Sequence, residues 1–260
     1  MILQLRTLAE LSEFITSQKQ KKRTIGFVPT MGFLHKGHMS LINLAKESCD
    51  IVIASIYVNP SQFNDSSDFD NYPKDEQKDL ELLSNNFCDA VFIPTQLEIE
   101  SIPNVRVDLG TLGDVMEGRS RPGHFEGVVE IVHRLFKAVS PHKAFFGNKD
   151  YQQLLVVKKM ADSCRLSIEI IGASIVREPS GLAMSSRNVR LSKDIRNKAG
   201  FIYETLSKTN LFNIKESRAF LTDNEFELEY LEIHSFGDDK RLFVAGLLDG
   251  VRLIDNVKVN

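Results

Sequence analysis

The sequence predicts an α/β protein, with a doubly wound parallel sheet followed by a smaller α+β domain. Up to about residue 175, short apolar runs rich in β-branched and aromatic residues alternate with longer segments whose apolar residues have helical spacing. Alternation of this kind is typical of parallel sheets with right-handed crossovers. Beyond Val176 the pattern changes to one helical stretch and three strand-like runs. We therefore expect two domains, residues 1–175 and 176–260.

The individual elements follow from the same patterns. Nearly continuous apolar runs predict strands buried on both faces, at residues 24–30, 51–58, 89–94, 143–147 and 168–176. Helical spacing predicts helices at residues 8–20, 38–48, 74–85, 125–139 and 151–163. In the second domain, a helix at 192–208 precedes strands at 230–236, 241–249 and 251–259. Asp249-Gly250 predicts a tight turn between the last two strands.

Composition narrows the class of protein. With 260 residues, 42% of them hydrophobic, the chain is long enough for a sizeable core, and its net charge of -3 does not favour nucleic acid or an anionic membrane as a partner. The N-terminus lacks the apolar block of a signal peptide, and no apolar run reaches the roughly 20 residues that a membrane span requires. The scattered Cys49, Cys88 and Cys164 do not suggest a disulfide framework or a zinc site. We expect a cytoplasmic enzyme.

A phosphate-handling site is predicted after the first buried strand, where PTMGFLHKGH leads into a helix. Gly32 and Gly37 allow backbone amides to approach a ligand closely, and a helix N-terminus favours an anion. His35 and His38 add donors that can stabilise charge on a departing phosphate. The alternative is a solvated loop with a helix cap, but two histidines in an H-x-G-H pattern at this kind of turn favour function. A zinc pair is less favoured because no third ligand has a suitable spacing.

Polar residues also follow two other predicted strands. Asn59 and Gln62 follow the second strand and could hold a small substrate, although Asn-Pro alone indicates only an ordinary turn. Lys149, Asp150 and Gln153 follow the fourth strand, where Lys149 supplies a charge for phosphate and Asp150 could meet ribose hydroxyls. Asp150 could equally be a helix N-cap.

Two further stretches have suitable chemistry. Ser185, Ser186 and Arg187 place two hydroxyls and a guanidinium together, which suits the outer phosphates of ATP, although a capping loop would have the same composition. The stretch 117–124, EGRSRPGH, is a candidate lid, because glycines permit hinge motion and arginines bind phosphate. A mobile surface loop is an equal alternative for it.

Six segments together resemble the pantothenate synthetase (pantoate–β-alanine ligase) family. In chain order they are PTMGFLHKGH, YVNPSQF, the Tyr72-Pro73 region, EGRSRPGHFEGV, FGNKDYQQ and REPSGLAMSSRN. The resemblance implies a Rossmann-like nucleotidyltransferase domain and a smaller C-terminal domain that closes over it, commonly in a homodimer. It also implies a step of pantothenate biosynthesis on the route to coenzyme A. ATP, with Mg²⁺, and pantoate give pantoyl-adenylate and pyrophosphate, and the amine of β-alanine then attacks to give pantothenate and AMP.

The resemblance also implies roles for individual residues. It assigns ATP binding to Met31, Gly32, Phe33, Leu34, His35, Lys36, Gly37, His38, Gly147, Asn148, Lys149, Asp150, Val176, Met184, Ser185, Ser186 and Arg187. Pantoate and β-alanine would meet Gln62, Gln153 and Asn59. His35, His38, Lys149 and Arg187 would stabilise the charge at the reacting phosphate, with His38 the usual proton donor. The magnesium ligands stay unassigned, with Asp79 a candidate.

The sequence departs from the family pattern in three places. Asn148 stands for the usual Glu of Gly-Glu-Lys-Asp, Lys74-Asp75 for Arg-Thr, and Ser180 for the Asp before Gly181. None of these removes a group that the chemistry requires, and the C-terminal domain is shorter than usual. Two other functions are compatible with parts of the pattern. Another H-x-G-H nucleotidylyltransferase, releasing a nucleotide ester, would not explain the two glutamines, and a non-catalytic nucleotide-binding module would not need all four charge-stabilising residues.

Overall fold

The computed structural model describes residues 2–63, 66–210 and 213–259, with the side chains of residues 66 and 67 left out. The chain divides into two compact units, Met1–Ala173 and Ser174–Asn260. The sequence pattern placed the boundary after residue 175. Among the described residues, no helix is both long and apolar enough to cross a membrane.

The first unit contains one six-stranded sheet in which every neighbouring pair of strands is parallel. The strands are β1 (Leu3–Leu5), β2 (Ile25–Thr30), β3 (Ile51–Ile56), β4 (Ala90–Phe92), β5 (Lys143–Gly147) and β6 (Glu169–Ala173). The helices are α1 (Leu8–Gln20), α2 (Lys36–Ser48), α3 (Ser66–Asp70), α4 (Glu76–Asn85), α5 (Gln96–Glu100), α6 (Met116–Ser120), α7 (His124–Val139) and α8 (Tyr151–Ser163). All five strands and all five helices predicted for this part of the chain are confirmed, whereas β1, α3, α5 and α6 were not predicted.

The strand order, β1-β4-β3-β2-β5-β6, is that of a doubly wound, Rossmann-like sheet. From β2 the chain runs outward through β3 to β4, then returns to place β5 on the other side of β2. The order therefore reverses between β2 and β5. In sheets of this kind, ligands bind beyond the carboxyl ends of the strands at the reversal. The turns after β2 and β5 are consequently the first places to look for a site.

Two apolar cores cover the two faces of the sheet. On one face, α1, α7 and α8 pack against alternate strand residues such as Phe27 and Ile53. On the other face, α2 and α4 pack against the intervening residues, Val28 and Ala54 among them. All four of these strand side chains have no exposed surface. Burial on both faces explains why the strands are continuously apolar in sequence.

The second unit is a small α+β domain. Its helices are α9 (Lys193–Lys198), α10 (Phe201–Lys208) and α11 (Ile214–Asp223), and its antiparallel sheet has the order β7 (Glu227–Phe236), β8 (Asp239–Leu248), β9 (Val251–Lys258). The three strands and the turn at Asp249-Gly250 are confirmed. Both turn residues have positive φ, 51° and 69°, as a type I′ hairpin requires.

The single helix predicted at 192–208 was wrong, because α9 and α10 are separated by Ala199 and Gly200. A Cβ at Gly200 would lie 1.8 Å from the carbonyl oxygen of Ser180. The helix is therefore broken where a distant segment of the chain approaches Gly200 closely.

Cys49 and Cys88 are buried, Cys164 is partly buried and all three are free thiols. Burial raises the pKa of the Cys88 thiol to about 12.

Candidate active site

The turn from β2 into α2 has an unusual backbone that is held by a buried carboxylate. Gly32 and Phe33 both have positive φ, 81° and 50°. Asp79 of α4 accepts hydrogen bonds from the amide of Phe33 at 2.7 Å and from the amide of Leu34 at 2.6 Å. The amide of Gly32 donates to the hydroxyl of Thr30 at 3.1 Å. These bonds fix a left-handed turn that a residue such as Phe33 adopts only under constraint.

Asp79 is therefore a positioning residue for this turn. Its side chain is almost completely buried, and each carboxylate oxygen accepts one backbone amide. Burial raises the pKa of the carboxyl, and the hydrogen bonds from Leu34 and Phe33 oppose that rise. Asp79 was also a predicted candidate for placing magnesium. The hydrogen bonds from the two backbone amides explain why a carboxylate is buried at this position, and a role of Asp79 in placing magnesium stays a prediction.

The two histidines cap the start of α2 and each other. His35 is the N-cap, and its Nδ1 accepts from the amide of Gly37 at 3.1 Å. His38 Nδ1 accepts from the amide of His35 at 3.2 Å, and the ring centroids are 4.1 Å apart. A neutral imidazole has one acceptor and one donor nitrogen. Because both Nδ1 atoms accept, both Nε2 atoms carry hydrogen, and each ring has an N–H donor.

The cap and the functional interpretation thus describe the same residues. A helix cap and a phosphate site were the two predicted alternatives, and both histidines have capping contacts through Nδ1. Because capping uses only Nδ1, it does not compete with a role for the Nε2 hydrogen of either ring. The cap also fixes the orientation of the two rings, which a donor set for a developing charge requires.

His38 lies in a positively charged, desolvated environment. Burial lowers the pKa of His38 well below its ordinary value, and electrostatic interactions with the neighbouring His35 and with Lys149 lower it further. His38 is therefore neutral near pH 7. Because β2 and β5 are neighbouring parallel strands, the turns that follow them leave the same edge of the sheet, and Lys149 in the second turn lies near enough to act on His38.

The turn after β5 brings in the second group of predicted residues. Gly147 ends the strand, and Asn148–Asp150 form a short 3-10 turn that leads directly into α8. Asp150 occupies the N-cap position of α8 without a capping hydrogen bond from its side chain. The carboxylate of Asp150 instead lies 3.7 Å from the ammonium of Lys149. Asp150 therefore has the N-cap position that was predicted as an alternative, but its side chain makes no capping hydrogen bond.

The turn after β3 is joined to both α7 and the β2 turn. Asn59 is buried, and its amide nitrogen donates to the carbonyl of Gly127 in α7 at 3.1 Å. Its amide oxygen accepts from the amide of Ser61 at 3.4 Å, which caps the short turn Pro60–Gln62. The side-chain amide of Gln62 donates to the sulfur of Met31. Asn59 thus supports the turn, and Gln62 connects it to the phosphate-handling segment.

The predicted lid is a packed segment in this structure. Residues 116–120 form α6, and Glu117 is buried. The side chain of Gln152 accepts from the amide of Glu117 at 3.0 Å and donates to the carbonyls of Leu112 and Val115 at 2.8 and 2.9 Å. Gln152 therefore anchors the segment to α8, while its partly exposed neighbour Gln153 keeps the predicted role of binding pantoate.

Sequence reasoning missed three buried polar residues that organise these turns. They are Gln152, His124 and Asp79, the last as the acceptor of two backbone hydrogen bonds. Asp79 and Gln152 lie within predicted helices and His124 lies just before one, and the helical patterns do not reveal their hydrogen-bond partners.

In the second unit, the stretch 177–190 is a tight hairpin followed by a 3-10 turn. The amide of Met184 donates to the carbonyl of Val176 at 2.9 Å, so these two predicted ATP residues lie side by side. The hydroxyl of Ser185 accepts from the amide of Arg187 at 3.2 Å, as the capping alternative proposed. Ser186 is buried and Arg187 is partly buried.

A polar network holds this stretch. Asn188 donates to the carboxylate of Glu178 at 2.7 Å and to the carbonyl of Ala183 at 3.0 Å. Arg196 donates to the second oxygen of Glu178 at 2.7 Å. Arg177 pairs with the buried carboxylate of Asp255 and stacks 3.6 Å from the ring centre of Tyr203. The backbone around Arg187 is therefore preorganised within its own unit.

The first unit thus brings together Met31, His35, His38, Gln62 and Lys149 from three neighbouring turns. Gly32, Phe33, Leu34 and Gly37 form the backbone of the first turn, and Lys36 lies exposed at the start of α2. Within residues 2–63, 66–210 and 213–259, no three His, Cys, Asp or Glu side chains are grouped to hold a metal ion. The imidazole, ammonium and backbone amide donors of these turns suit an anion.

Comparisons with known proteins agree with this chemistry. The profile of the family described as Pantoate-beta-alanine ligase matches residues 3–258. The pantothenate synthetase of Cytophaga hutchinsonii is 39% identical, with 99% of each chain covered, and that of Christiangramia forsetii is 43% identical over 96% of each.

Solved structures give the same result. Pantothenate synthetase from Thermus thermophilus superposes with a TM-score of 0.90 at 37% identity, covering 99% of both chains. Pantoate-beta-alanine ligase from Francisella tularensis, complexed with beta-gamma ATP and beta-alanine, also has a TM-score of 0.90, at 35% identity, covering 99% of this chain and 98% of that one. With its family profile, its full-length relatives and its fold in agreement, the chain belongs to the pantoate–β-alanine ligase family.

Proposed function

We propose that this protein joins pantoate and β-alanine through an amide bond, with conversion of ATP to AMP and pyrophosphate by way of a pantoyl-adenylate. The observation that carries the proposal is the pair of imidazoles, His35 and His38, fixed through Nδ1 at the start of α2 beside Lys149. Family membership supplies the substrates, and the related ligase of Francisella tularensis forms a complex with beta-gamma ATP and beta-alanine.

In the first step, a carboxylate oxygen of pantoate attacks the α-phosphorus of ATP. The bond to the bridging oxygen breaks, and pyrophosphate leaves with the electron pair. Negative charge grows on the phosphate oxygens as this happens. The Nε2 hydrogens of His35 and His38, the ammonium of Lys149 and the amides at the start of α2 are donors suited to that charge. His38 is neutral, so it acts as a hydrogen-bond donor rather than as an imidazolium.

In the second step, the amine of β-alanine attacks the acyl carbon of the adenylate. The carbon–oxygen bond to AMP breaks, AMP leaves with the electron pair, and the amine loses a proton. No nucleophilic side chain is needed, because positioning of the two substrates lowers the barrier. We assign that positioning to the amides of Gln62 and Gln153, with Asn59 supporting the turn that carries Gln62.

The second unit completes the proposal. Val176 would meet the adenine through its backbone, and Met184, Ser185, Ser186 and Arg187 would hold the phosphates. Residues 1–175 would then form the domain that binds ATP and pantoate, and residues 176–260 a domain that closes over it.

Mg²⁺ would take phosphate oxygens and water as most of its ligands, as it usually does with nucleotides. A homodimer in the cytoplasm is proposed on the resemblance to the family alone.

The test is ATP–pyrophosphate exchange with a panel of carboxylic acids. We expect exchange with pantoate alone, and accumulation of AMP only after β-alanine is added. Exchange that needs both substrates would contradict a stepwise adenylate. Release of a stable nucleotide ester without any amine would instead favour the nucleotidylyltransferase alternative.

A further inference from the structure

The carbonyl of Gln62 is held by a buried histidine. Nδ1 of His124 lies 2.8 Å from that oxygen, and Nε2 of His124 lies 3.0 Å from a terminal nitrogen of Arg121. A guanidinium has hydrogen-bond donors only. Nε2 therefore accepts from Arg121, and the single hydrogen of the neutral ring is on Nδ1, where it is donated to Gln62. The contacts on both sides fix this tautomer.

The first turn of α7 is built to sit against the Gln62 turn. Gly123 precedes it with φ at 85°, and His124 is the first helical residue, only 8% exposed. A Cβ at Gly127 would lie 2.4 Å from the carbonyl oxygen of Ser61, so the helix backbone touches the turn directly. Asn59 adds its hydrogen bond to the carbonyl of Gly127. His124 is thus one of several links between α7 and this turn, and it makes a hydrogen bond to Gln62 itself.

Holding the carbonyl of Gln62 restricts its side chain. Arg121 makes a second, longer hydrogen bond to the same oxygen at 3.3 Å, so the peptide group is fixed by two donors. From that fixed peptide the side chain of Gln62 extends to Met31 in the phosphate-handling turn. A change at His124 would therefore alter where the Gln62 amide lies, and His124 would act on it through the peptide group of Gln62.

We propose that His124 is a positioning residue for the ligase reaction: its Nδ1 hydrogen, donated to the carbonyl of Gln62, sets the side-chain amide of Gln62 at the place where pantoate and β-alanine meet. This inference rests on the proposed function, since it gives Gln62 its substrates. In this role His124 acts through Gln62 and needs no contact with either substrate.

The charges around His124 keep the ring in the form that this role needs. Burial lowers the pKa of His124 to about 4, and Arg121 contributes to the lowering. The hydrogen bond to the carbonyl of Gln62, and after it Glu117 and Asp150, act in the opposite direction without restoring the ordinary value of the pKa. A proton on Nε2 would also face the guanidinium of Arg121. The link to Gln62 is therefore constant across neutral pH.

Two substitutions separate the two nitrogens of His124. In His124→Asn the amide nitrogen can take the place of Nδ1 and still donate to Gln62. In His124→Gln the amide can take the place of Nε2 and accept from Arg121, but no donor takes the place of Nδ1. We expect His124→Gln to raise KM for pantoate and for β-alanine about tenfold, as loss of one hydrogen bond would. KM for ATP should stay unchanged, and His124→Asn should remain within about threefold of wild type.

A purely structural role would lower kcat in both variants through the loss of active protein and leave every KM unchanged, and that result would overturn the proposal. Equal KM values in the two variants would overturn it as well. The ¹⁵N shifts of the His124 ring in the wild-type protein give a readout independent of activity and of variant folding. A hydrogen on Nδ1 supports the contact, and a hydrogen on Nε2 overturns it. Failure of the wild type to make pantothenate would overturn the proposed function instead, whatever the tautomer.

Discussion

Three side chains in the candidate site act by fixing other groups. Asp79 binds two amides of the turn after β2, His35 binds the amide of Gly37, and His38 binds the amide of His35. Each uses its hydrogen-bonding capacity first on the backbone. In the proposed reaction, the Nε2 hydrogens of the two imidazoles are the atoms that act on the substrate. In each of the two histidines, one ring nitrogen therefore supports the turn and the other is proposed to act on the substrate.

That division makes His38 testable atom by atom. His38→Ala removes the Nε2 donor and should slow adenylate formation by about 10²–10³, the usual effect of deleting one donor to a developing charge. It also removes the cap at Nδ1, so stability should fall by about 1 kcal/mol. Adenylation is measured by ATP–pyrophosphate exchange with pantoate, and stability by urea unfolding.

The matched control is His38→Asn. Its amide oxygen can accept at the position of Nδ1 and restore the cap, but no donor replaces Nε2. This variant should regain the lost stability and stay as slow as His38→Ala. A loss of activity smaller than tenfold in either variant would mean that His38 is peripheral to the chemistry.

At the element scale, the contact between α7 and the turn after β3 is set by the absence of a side chain. Gly127 lies within the helix, and a Cβ there would meet the carbonyl of Ser61 at 2.4 Å and the amide of Gln62 at 2.8 Å. Both atoms are backbone, so neither can turn aside as a flexible side chain would. The helix and the turn must therefore separate if Gly127 is replaced.

We expect Gly127→Ala to destabilise the protein by about 1–3 kcal/mol, as overpacking typically does, even though alanine is the better helix former. Because the turn carries Gln62, KM for pantoate should rise as well. Glu126→Ala is the control, since Glu126 is exposed on the same helix and should leave both quantities nearly unchanged. Urea unfolding and steady-state kinetics measure the two effects, and a Gly127→Ala protein more stable than wild type would disprove the close approach.

Elements also show what the sequence could predict. The strands of the first unit were identifiable because burial on both faces leaves continuous apolar runs, and the H-x-G-H turn because its residues are adjacent in sequence. Strand β1 was missed because it has only three residues, and Leu3 among them is 45% exposed. The break at Gly200 and the bond from His124 to Gln62 depend on partners far away in sequence, the latter 62 residues apart. The spacing of apolar residues within a short segment does not predict such contacts.

For the whole molecule, buried neutral histidines couple folding to pH. Burial lowers the pKa of both His38 and His124 in the folded protein. An unfolded chain exposes both rings, so it binds protons at a higher pH than the folded chain does. Stability contributed by the neutral rings is therefore present above the unfolded pKa and is lost as pH falls. The same rings are the donors and acceptors of the candidate site, so acid acts on the fold and on the site together.

Replacing His124 measures how much one buried histidine contributes to the pH dependence of the unfolding free energy. Its pKa falls from the ordinary 6.5 to about 4 in the folded protein. At about 1.4 kcal/mol per unit, the wild type should lose about 3 kcal/mol between pH 7 and pH 4 that His124→Asn, having no titrating ring, does not lose. All other titrating groups are common to the two proteins, so the difference between their urea-unfolding free energies at each pH reports His124 alone. Parallel stability curves over this range would show that the ring takes up its proton in the folded state, and Arg121 could then not be donating to Nε2.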